Sequence, residues 1–150
     1  MSIEKEINQA RFRNEYQKSV INLIFTYNWM SEQMKLVFDR YEITYQQFNI
    51  LRILRGAGAP LSTLQIRQRM LDKMSDTSRI VDRLIKKELV KKSVCKSDRR
   101  LVDVIISEKG KKLLEKLDSC NEDLDGVFEN LSVADAKKLN QLLDKIRNGK

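Results

Sequence analysis

Proline occurs once in this 150-residue chain, at Pro60, and glycine five times. Gly56, Gly58 and Pro60 form the one clear cluster of chain breakers. A chain so poor in residues that stop helices is constrained to helices joined by short turns. No Ser- or Pro-rich linker, low-complexity tract or internal repeat divides it. Its length suits a single domain over residues 1–150, able to bury ~70 % of the surface its unfolded chain exposes.

Hydrophobic spacing places the helices. Tyr16, Val20, Leu23, Tyr27 and Met34 predict one long helix over about residues 5–39. Thr44-Tyr45-Gln46-Gln47 has the form of a capping box. It opens a second helix with Phe48, Leu51 and Leu54 on its apolar face and Gly56 at its end. Ser62-Thr63-Leu64-Gln65 repeats that form and opens a short third helix running to about Met70. After a break at Leu71–Met74, a fourth helix is expected from Ser75, a hydroxyl cap, to about Glu88. Asp76 suits its first turn, and Ile80, Val81 and Leu84 form its inner face.

The period then changes. Val90 to Val94 and Leu101 to Ile106 are rich in β-branched residues, and the second run alternates as a strand does. They predict a hairpin with Lys96-Ser97-Asp98-Arg99-Arg100 at its tip. Ser107 caps a fifth helix to about Asn130. Ser132 caps a sixth, with Leu139, Leu142, Leu143 and Ile146 on one face. The expected fold class is mainly α with a small β-hairpin wing: a winged helix-turn-helix over 41–106, embedded in a helical dimerisation region of 1–40 and 107–150.

Charge narrows the function. The net charge is +8, and residues 61–100 alone hold 12 basic and 5 acidic residues, a local +7. A concentrated basic patch points to an anionic polymer rather than to general solubility. Nine of the ten aromatic residues lie between Phe12 and Phe48 and none in the basic segment. Base stacking on single strands is thereby disfavoured. Histidine is absent, which removes the commonest general base and metal ligand. With no phosphate loop, nucleophile motif or paired carboxylates, an enzyme is not expected, and neither is a metal or cofactor. Glu122, Asp123 and Asp125 read as a solvated face rather than a metal site. No apolar run approaches the ~20 residues of a membrane span, and residues 1–10 lack an apolar signal core. The expected location is the cytoplasm.

A short helix, a turn and a second helix carrying Arg79 and Arg83 make a helix-turn-helix whose second helix fits the major groove. Ser75, Asp76, Thr77, Ser78 and Arg79 lie near its N-terminus, where bases are read. A basic hairpin directly after it makes a winged helix, with Arg99 and Arg100 placed for a minor groove or for phosphate. The plainer alternative is an exposed turn in which Asp98 pairs with a neighbouring arginine. That pairing also suits function, because it fixes the arginine's pose. Leu113, Leu117, Cys120, Leu124, Val127 and Leu131 follow a 4, 3, 4, 3, 4 spacing, an a/d seam. Packing within the chain's own core would explain it equally. The shortage of other apolar surface favours a second copy, with Leu113, Leu117, Leu124 and Val127 at the interface of a twofold dimer.

The run Ser78-Arg79-Ile80-Val81-Asp82-Arg83-Leu84-Ile85-Lys86-Lys87-Glu88-Leu89-Val90 resembles the end of the recognition helix in the multiple-antibiotic-resistance regulator (MarR) family. Asp98-Arg99-Arg100, followed by Val102-Asp103-Val104-Ile105-Ile106-Ser107-Glu108-Lys109-Gly110, resembles that family's wing and its entry into the dimerisation helix. Thr44 to Leu51 is similar to its second helix. The resemblance covers about residues 40–118. It implies a homodimeric transcriptional regulator, a repressor by reading, on a pseudo-palindromic double-stranded operator. Ser75, Thr77, Ser78, Arg79 and Arg83 would then enter the major groove. Arg100, set by Asp98, would reach the minor groove and Arg99 a phosphate; Lys73, Lys91 and Lys96 are assigned to phosphate by charge. The resemblance further implies release by a small aromatic or amphipathic ligand, for which Phe25, Trp29, Tyr41 and Tyr45 are the candidate lining.

Three positions depart from the family pattern. Glu88 stands where a helix-end glycine is usual, so the cap must close without an easy left-handed residue. Leu71 stands where a turn glycine is common, which implies a longer or differently shaped turn. Arg67 replaces a small residue between the third and fourth helices. Two readings compete with DNA regulation by ligand: a thiol redox sensor on the same scaffold through Cys95, beside Lys96 and Arg99, and double-stranded RNA binding. The reading helix and wing favour B-form DNA over RNA. Cys120, on the seam, reads as inert packing.

Overall fold

The computed structural model describes residues 1–94 and 102–148. Its elements run α1 (Ile3–Glu6), α2 (Glu15–Asp39), α3 (Tyr45–Ala57), β1 (Leu61–Ser62), α4 (Thr63–Arg69), α5 (Thr77–Lys86), β2 (Val90–Val94), β3 (Val102–Ile106), α6 (Glu108–Asp118), α7 (Asn121–Asp125) and α8 (Val133–Arg147). A single 3-10 turn, Gly126–Phe128, follows α7. The mainly α class with a small sheet holds.

The caps form as the residue pattern dictates. The Thr44 hydroxyl accepts the Gln47 N–H at 3.1 Å and the Gln47 side chain accepts the Thr44 N–H at 3.1 Å. Ser62 and Gln65 make the same reciprocal pair at 3.2 and 2.9 Å. α3 runs past Gly56 and closes at Gly58, whose φ of 62° is the left-handed turn that only glycine adopts without strain.

Two long helices expected from spacing are interrupted. Residues 7–14 separate α1 from α2: Asn8 takes a left-handed φ of 52°, and the Asn14 side chain caps α2 by accepting the Gln17 N–H at 2.9 Å. Asparagine competes with the helical backbone through such local bonds, and apolar spacing does not register it. The fifth helix stops at Asp118. The Ser119 hydroxyl turns back to the Lys116 carbonyl at 2.5 Å, and the Cys120 N–H reaches Leu117 at 2.9 Å in a tightened i−3 bond. The a/d seam is therefore not one continuous stripe.

The sheet has three antiparallel strands in the order β1-β3-β2. Val90 faces Ile106, Lys92 faces Val104 and Val94 faces Val102. β1 pairs Leu61 with Val104, a third strand too short for its alternation to be seen in sequence. The core is the meeting of α3, α4, α5, α6 and the sheet. Ile50, Leu51, Ile66, Leu84 and Leu114 are completely enclosed there. Leu117 belongs to the same core, so this member of the expected dimer seam is spent inside its own chain. Leu113 and Leu124 pack against that core, and Val127 is half-buried. The surface left uncovered lies elsewhere. Tyr16, Val20, Leu23, Ile24 and Tyr27 on α2, and Leu142 and Ile146 on α8, are exposed.

Candidate nucleic-acid interface

α5 is a two-faced helix. Thr77, Ile80, Val81 and Leu84, at i, i+3, i+4 and i+7, are buried. Burial of the three apolar chains stabilises by about 1.5–3 kcal/mol each as an upper estimate, and it fixes the opposite face outward. That face carries Ser78, Arg79, Asp82, Arg83 and Lys86, all exposed. The helix starts one residue later than the spacing suggests. Its cap is Asp76, whose Oδ1 accepts the Arg79 N–H at 3.2 Å, and not Ser75. Ser75 serves the turn instead, donating to the Asp72 carbonyl at 2.8 Å. Asp72 holds that turn from its other end by accepting the Met74 N–H at 2.9 Å.

The expected DNA-contacting residues separate accordingly. Ser78, Arg79 and Arg83 share the exposed face of α5, with Lys73 on the turn before it and Lys91 on β2, both exposed. Lys73 folds back to donate to the Gln68 carbonyl. Thr77 is corrected: the residue is 3 % exposed and lies with the core, so it does not face a groove. The i, i+3, i+4, i+7 relation to Leu84 was the signal in the sequence that assigns it inward. Lys96, Asp98, Arg99 and Arg100, and Cys95 of the redox reading, lie outside the described residues. Asp82, Lys86 and Lys92 are exposed on the same two elements and were not among the assigned contacts.

The departures resolve simply. Glu88 takes the left-handed backbone itself, at φ 61°, so the helix end keeps a glycine-type turn without glycine. Leu71 is not among the left-handed residues, and Arg67 is exposed, so neither obstructs the approach of α4 and α5.

The four candidate ligand residues do not converge within this chain. Tyr41 lines a cleft of about 520 Å³ between the α2–α3 corner, the end of α5 and α6. Its apolar walls are Ile43, Leu89 and Leu113, and Lys87, Lys109, Lys112 and Lys116 surround it together with the acidic Glu42. Phe25 and Trp29 border a separate hollow of about 270 Å³ against Ile3. Tyr45, itself exposed, packs against Phe38 and Phe48 at the margin of the core, ring centroids 5.7 and 6.4 Å away. The division follows the elements: Phe25 and Trp29 share one face of α2, Tyr41 lies in the corner after it, and Tyr45 opens α3. Lys87 donates to the Glu42 carbonyl and to the Gln47 side chain at 3.1 Å, which ties the end of α5 to the α2–α3 corner. The Tyr41 phenol and Cys120 thiol share a hydrogen bond of 3.0 Å, which with burial raises the phenol's pKa. Cys120 is thus a polar contact and not simple packing. Among the described residues no cluster of metal-ligating side chains occurs, and no helix is long and apolar enough to cross a membrane.

A helix-turn-helix with a basic outward helix, followed directly by an antiparallel strand pair, is a winged helix-turn-helix. Residues 43–102 match the model of the MarR family. The whole fold agrees. A cysteine-to-serine mutant of MarR from E. coli, complexed with operator DNA, superposes with a TM-score of 0.80 at 21 % identity, over 91 % of this chain and 99 % of that one. BpsR of Bordetella bronchiseptica, whose DNA binding is regulated by 6-hydroxynicotinic acid, gives 0.76 at 22 %, over 87 % and 98 %. A MarR transcription factor from Planctomyces limnophilus gives 0.67 at 29 %, over 89 % and 98 %. No curated protein matches the chain.

Proposed function

We propose that the protein is a cytoplasmic transcriptional repressor that binds a pseudo-palindromic DNA operator as a homodimer. The observation that carries this is the outward face of α5. Arg79, Arg83 and Lys86 stand exposed on a helix whose other face is locked into the core. A helix of that diameter fits the major groove, and Arg79 in its first turn can take guanine O6 and N7 together. Ser78 allows close approach. Lys73, Lys91 and Lys96 serve phosphate, while Asp98 sets Arg100 for the minor groove and Arg99 meets the backbone. The operator-bound E. coli relative supports the mode of binding.

A second copy would cover the exposed apolar residues of α2 and α8, which extend the dimer surface beyond Leu113, Leu124 and Val127. Sedimentation at micromolar concentration is expected to give twice the chain mass. Release from DNA is assigned to an amphipathic anion in the cleft beside Tyr41, where four lysines surround apolar walls. The regulation of BpsR by a small carboxylic acid supports that reading.

The test is to recover bound fragments from host genomic DNA and then measure variants on the recovered and scrambled duplexes. Arg79→Ala is expected to narrow the gap between them, because a bidentate contact to guanine carries ~1–3 kcal/mol of discrimination. Lys96→Ala is expected to weaken both alike and to make the slope of log affinity against log salt shallower by ~1. An equal loss on both duplexes with Arg79→Ala would refute the groove assignment.

A further inference from the structure

We propose that Asp76 is a positioning residue for base reading: it holds the Arg79 guanidinium by its Nε edge and leaves the two Nη groups to face a guanine. The inference rests on the reading above, in which Arg79 enters the major groove. The two carboxylate oxygens of Asp76 are used separately. Oδ1 accepts the Arg79 backbone N–H at 3.2 Å and so begins α5. Oδ2 lies 3.6 Å from Arg79 Nε. One group therefore sets both the start of the helix and the direction in which its first-turn arginine leaves.

The chemistry of the fork gives this a consequence. Arginine offers one N–H at Nε and four at the Nη nitrogens, and it can meet O6 and N7 of guanine either side-on, through Nε and one Nη, or end-on, through both Nη. With Asp76 Oδ2 facing Nε at 3.6 Å, an ion-pair contact longer than a hydrogen bond, the end-on approach through both Nη is the one favoured. An arginine held in one pose loses less rotamer freedom on binding than one that must be ordered by the base. Both side chains are largely exposed, so the pair adds little to folding stability; its effect is directional. The carboxylate also repels phosphate, which lowers affinity for DNA of any sequence. Discrimination therefore rises through an attractive and a repulsive part together.

The roles of cap and positioner can be separated. Serine caps a helix about as well as aspartate but has no second oxygen for Nε. Duplexes selected from a randomised pool by the wild-type protein serve as the probe, each compared with a copy in which the guanine read by Arg79 is replaced. Asp76→Ser is expected to leave the thermal midpoint unchanged, to raise affinity for scrambled DNA severalfold, and to reduce discrimination at that guanine by about three- to tenfold. In an Arg79→Ala background it is expected to reduce discrimination no further. If Arg79→Ala narrows discrimination but Asp76→Ser does not, or if Asp76→Ser still does so without Arg79, the positioning role is overturned and Asp76 is a cap alone. If Arg79→Ala lowers both duplexes by one factor, the groove reading falls first.

Discussion

The Ser107 hydroxyl donates to the Glu88 carbonyl at 2.7 Å, and its oxygen accepts the Gly110 N–H at 3.0 Å. The Ser107 N–H reaches the Leu89 carbonyl at 3.0 Å. One buried residue thus joins the end of α5 to the start of α6, with the whole β2–β3 excursion between them in sequence. The wing begins and ends at a fixed point, which sets its offset from α5.

Ser107→Ala removes the oxygen and leaves a buried carbonyl and an N–H without that partner. The expected loss is about 1–3 kcal/mol of unfolding free energy, read by urea denaturation. Gly110→Ala acts on the same junction through space. A Cβ there would overlap the Leu89 carbonyl oxygen and lie 2.8 Å from Ile106 Cγ1, so α6 must lift off the sheet. Overpacking of this kind costs about 1–3 kcal/mol. A Gly110→Ala variant as stable as wild type would mean that α6 does not sit this close.

Glu88 is the reverse case. Its φ of 61° is strained for any residue with a Cβ, and among the described residues its carboxylate has only the exposed Lys109 at 3.7 Å as partner. Such a pair contributes little. Glu88→Gly relieves the strain, offset in part by glycine's greater freedom when unfolded, and is expected to raise stability by about 0.5–1 kcal/mol. An unchanged or lowered urea midpoint would sink this account.

Glu88 also marks how far the sequence could be read. Its place at a helix end was visible from the change of period at Val90, and the need for a left-handed residue followed from the family pattern. That the backbone keeps the turn and strains the glutamate is a packing outcome: Ser107 and Leu89 hold the chain there. The capping boxes at Thr44 and Ser62 were legible because each is encoded within four residues. The outward set of α5 was legible from period, except Thr77, where residue type was allowed to outweigh angle. The breaks at Asn8–Asn14 and Ser119–Cys120 were not legible, because local side-chain bonds, not apolar spacing, decide them. The division of Tyr41 from Phe25 and Trp29 depends on where α2 meets its neighbours, which no local pattern carries.

The N-terminal segment gives a pH prediction. Glu4 on α1 pairs with Lys18 on α2, and the Lys18 ammonium, with the Glu4 backbone and Ser2, lowers the Glu4 carboxyl from 4.5 to about 2. A carboxylate whose folded value is lowered favours the folded contact above its unfolded value, and the contribution is lost as pH falls through the folded value. The docking of α1 on α2 is therefore expected to hold above about pH 4.5 and to weaken from there down to about pH 2. Trp29, the single tryptophan, borders the hollow that Ile3 and Glu6 help close, so its fluorescence reports the docking. Glu4→Gln is expected to give the weakened state's emission already at neutral pH, with unchanged helical circular dichroism. Identical emission for wild type and variant across that range would show that the pair does not hold α1.

The last prediction concerns the threonine assigned to a groove that the fold turns inward. Thr77 is buried and, among the described residues, its Oγ1 lacks a hydrogen-bond partner. A buried hydroxyl in that state costs about 1–3 kcal/mol relative to an apolar group of the same shape. Valine matches threonine in outline and shares its β-branch, so Thr77→Val fills the site without the desolvated oxygen. Stability is expected to rise by about 1 kcal/mol in urea. Affinity for operator duplex is expected to stay within about twofold, because the side chain packs with Ile80, Val81 and Leu84 beneath the helix and not above it. Ser78→Val, one residue on and exposed, is the matched control: it puts a branched chain on the outward face and is expected to weaken operator binding with little change in stability. If Thr77→Val weakens operator binding as Ser78→Val does, while its stability stays the same or falls, Thr77 faces the DNA, and the rotation assigned to α5 is wrong by about one residue.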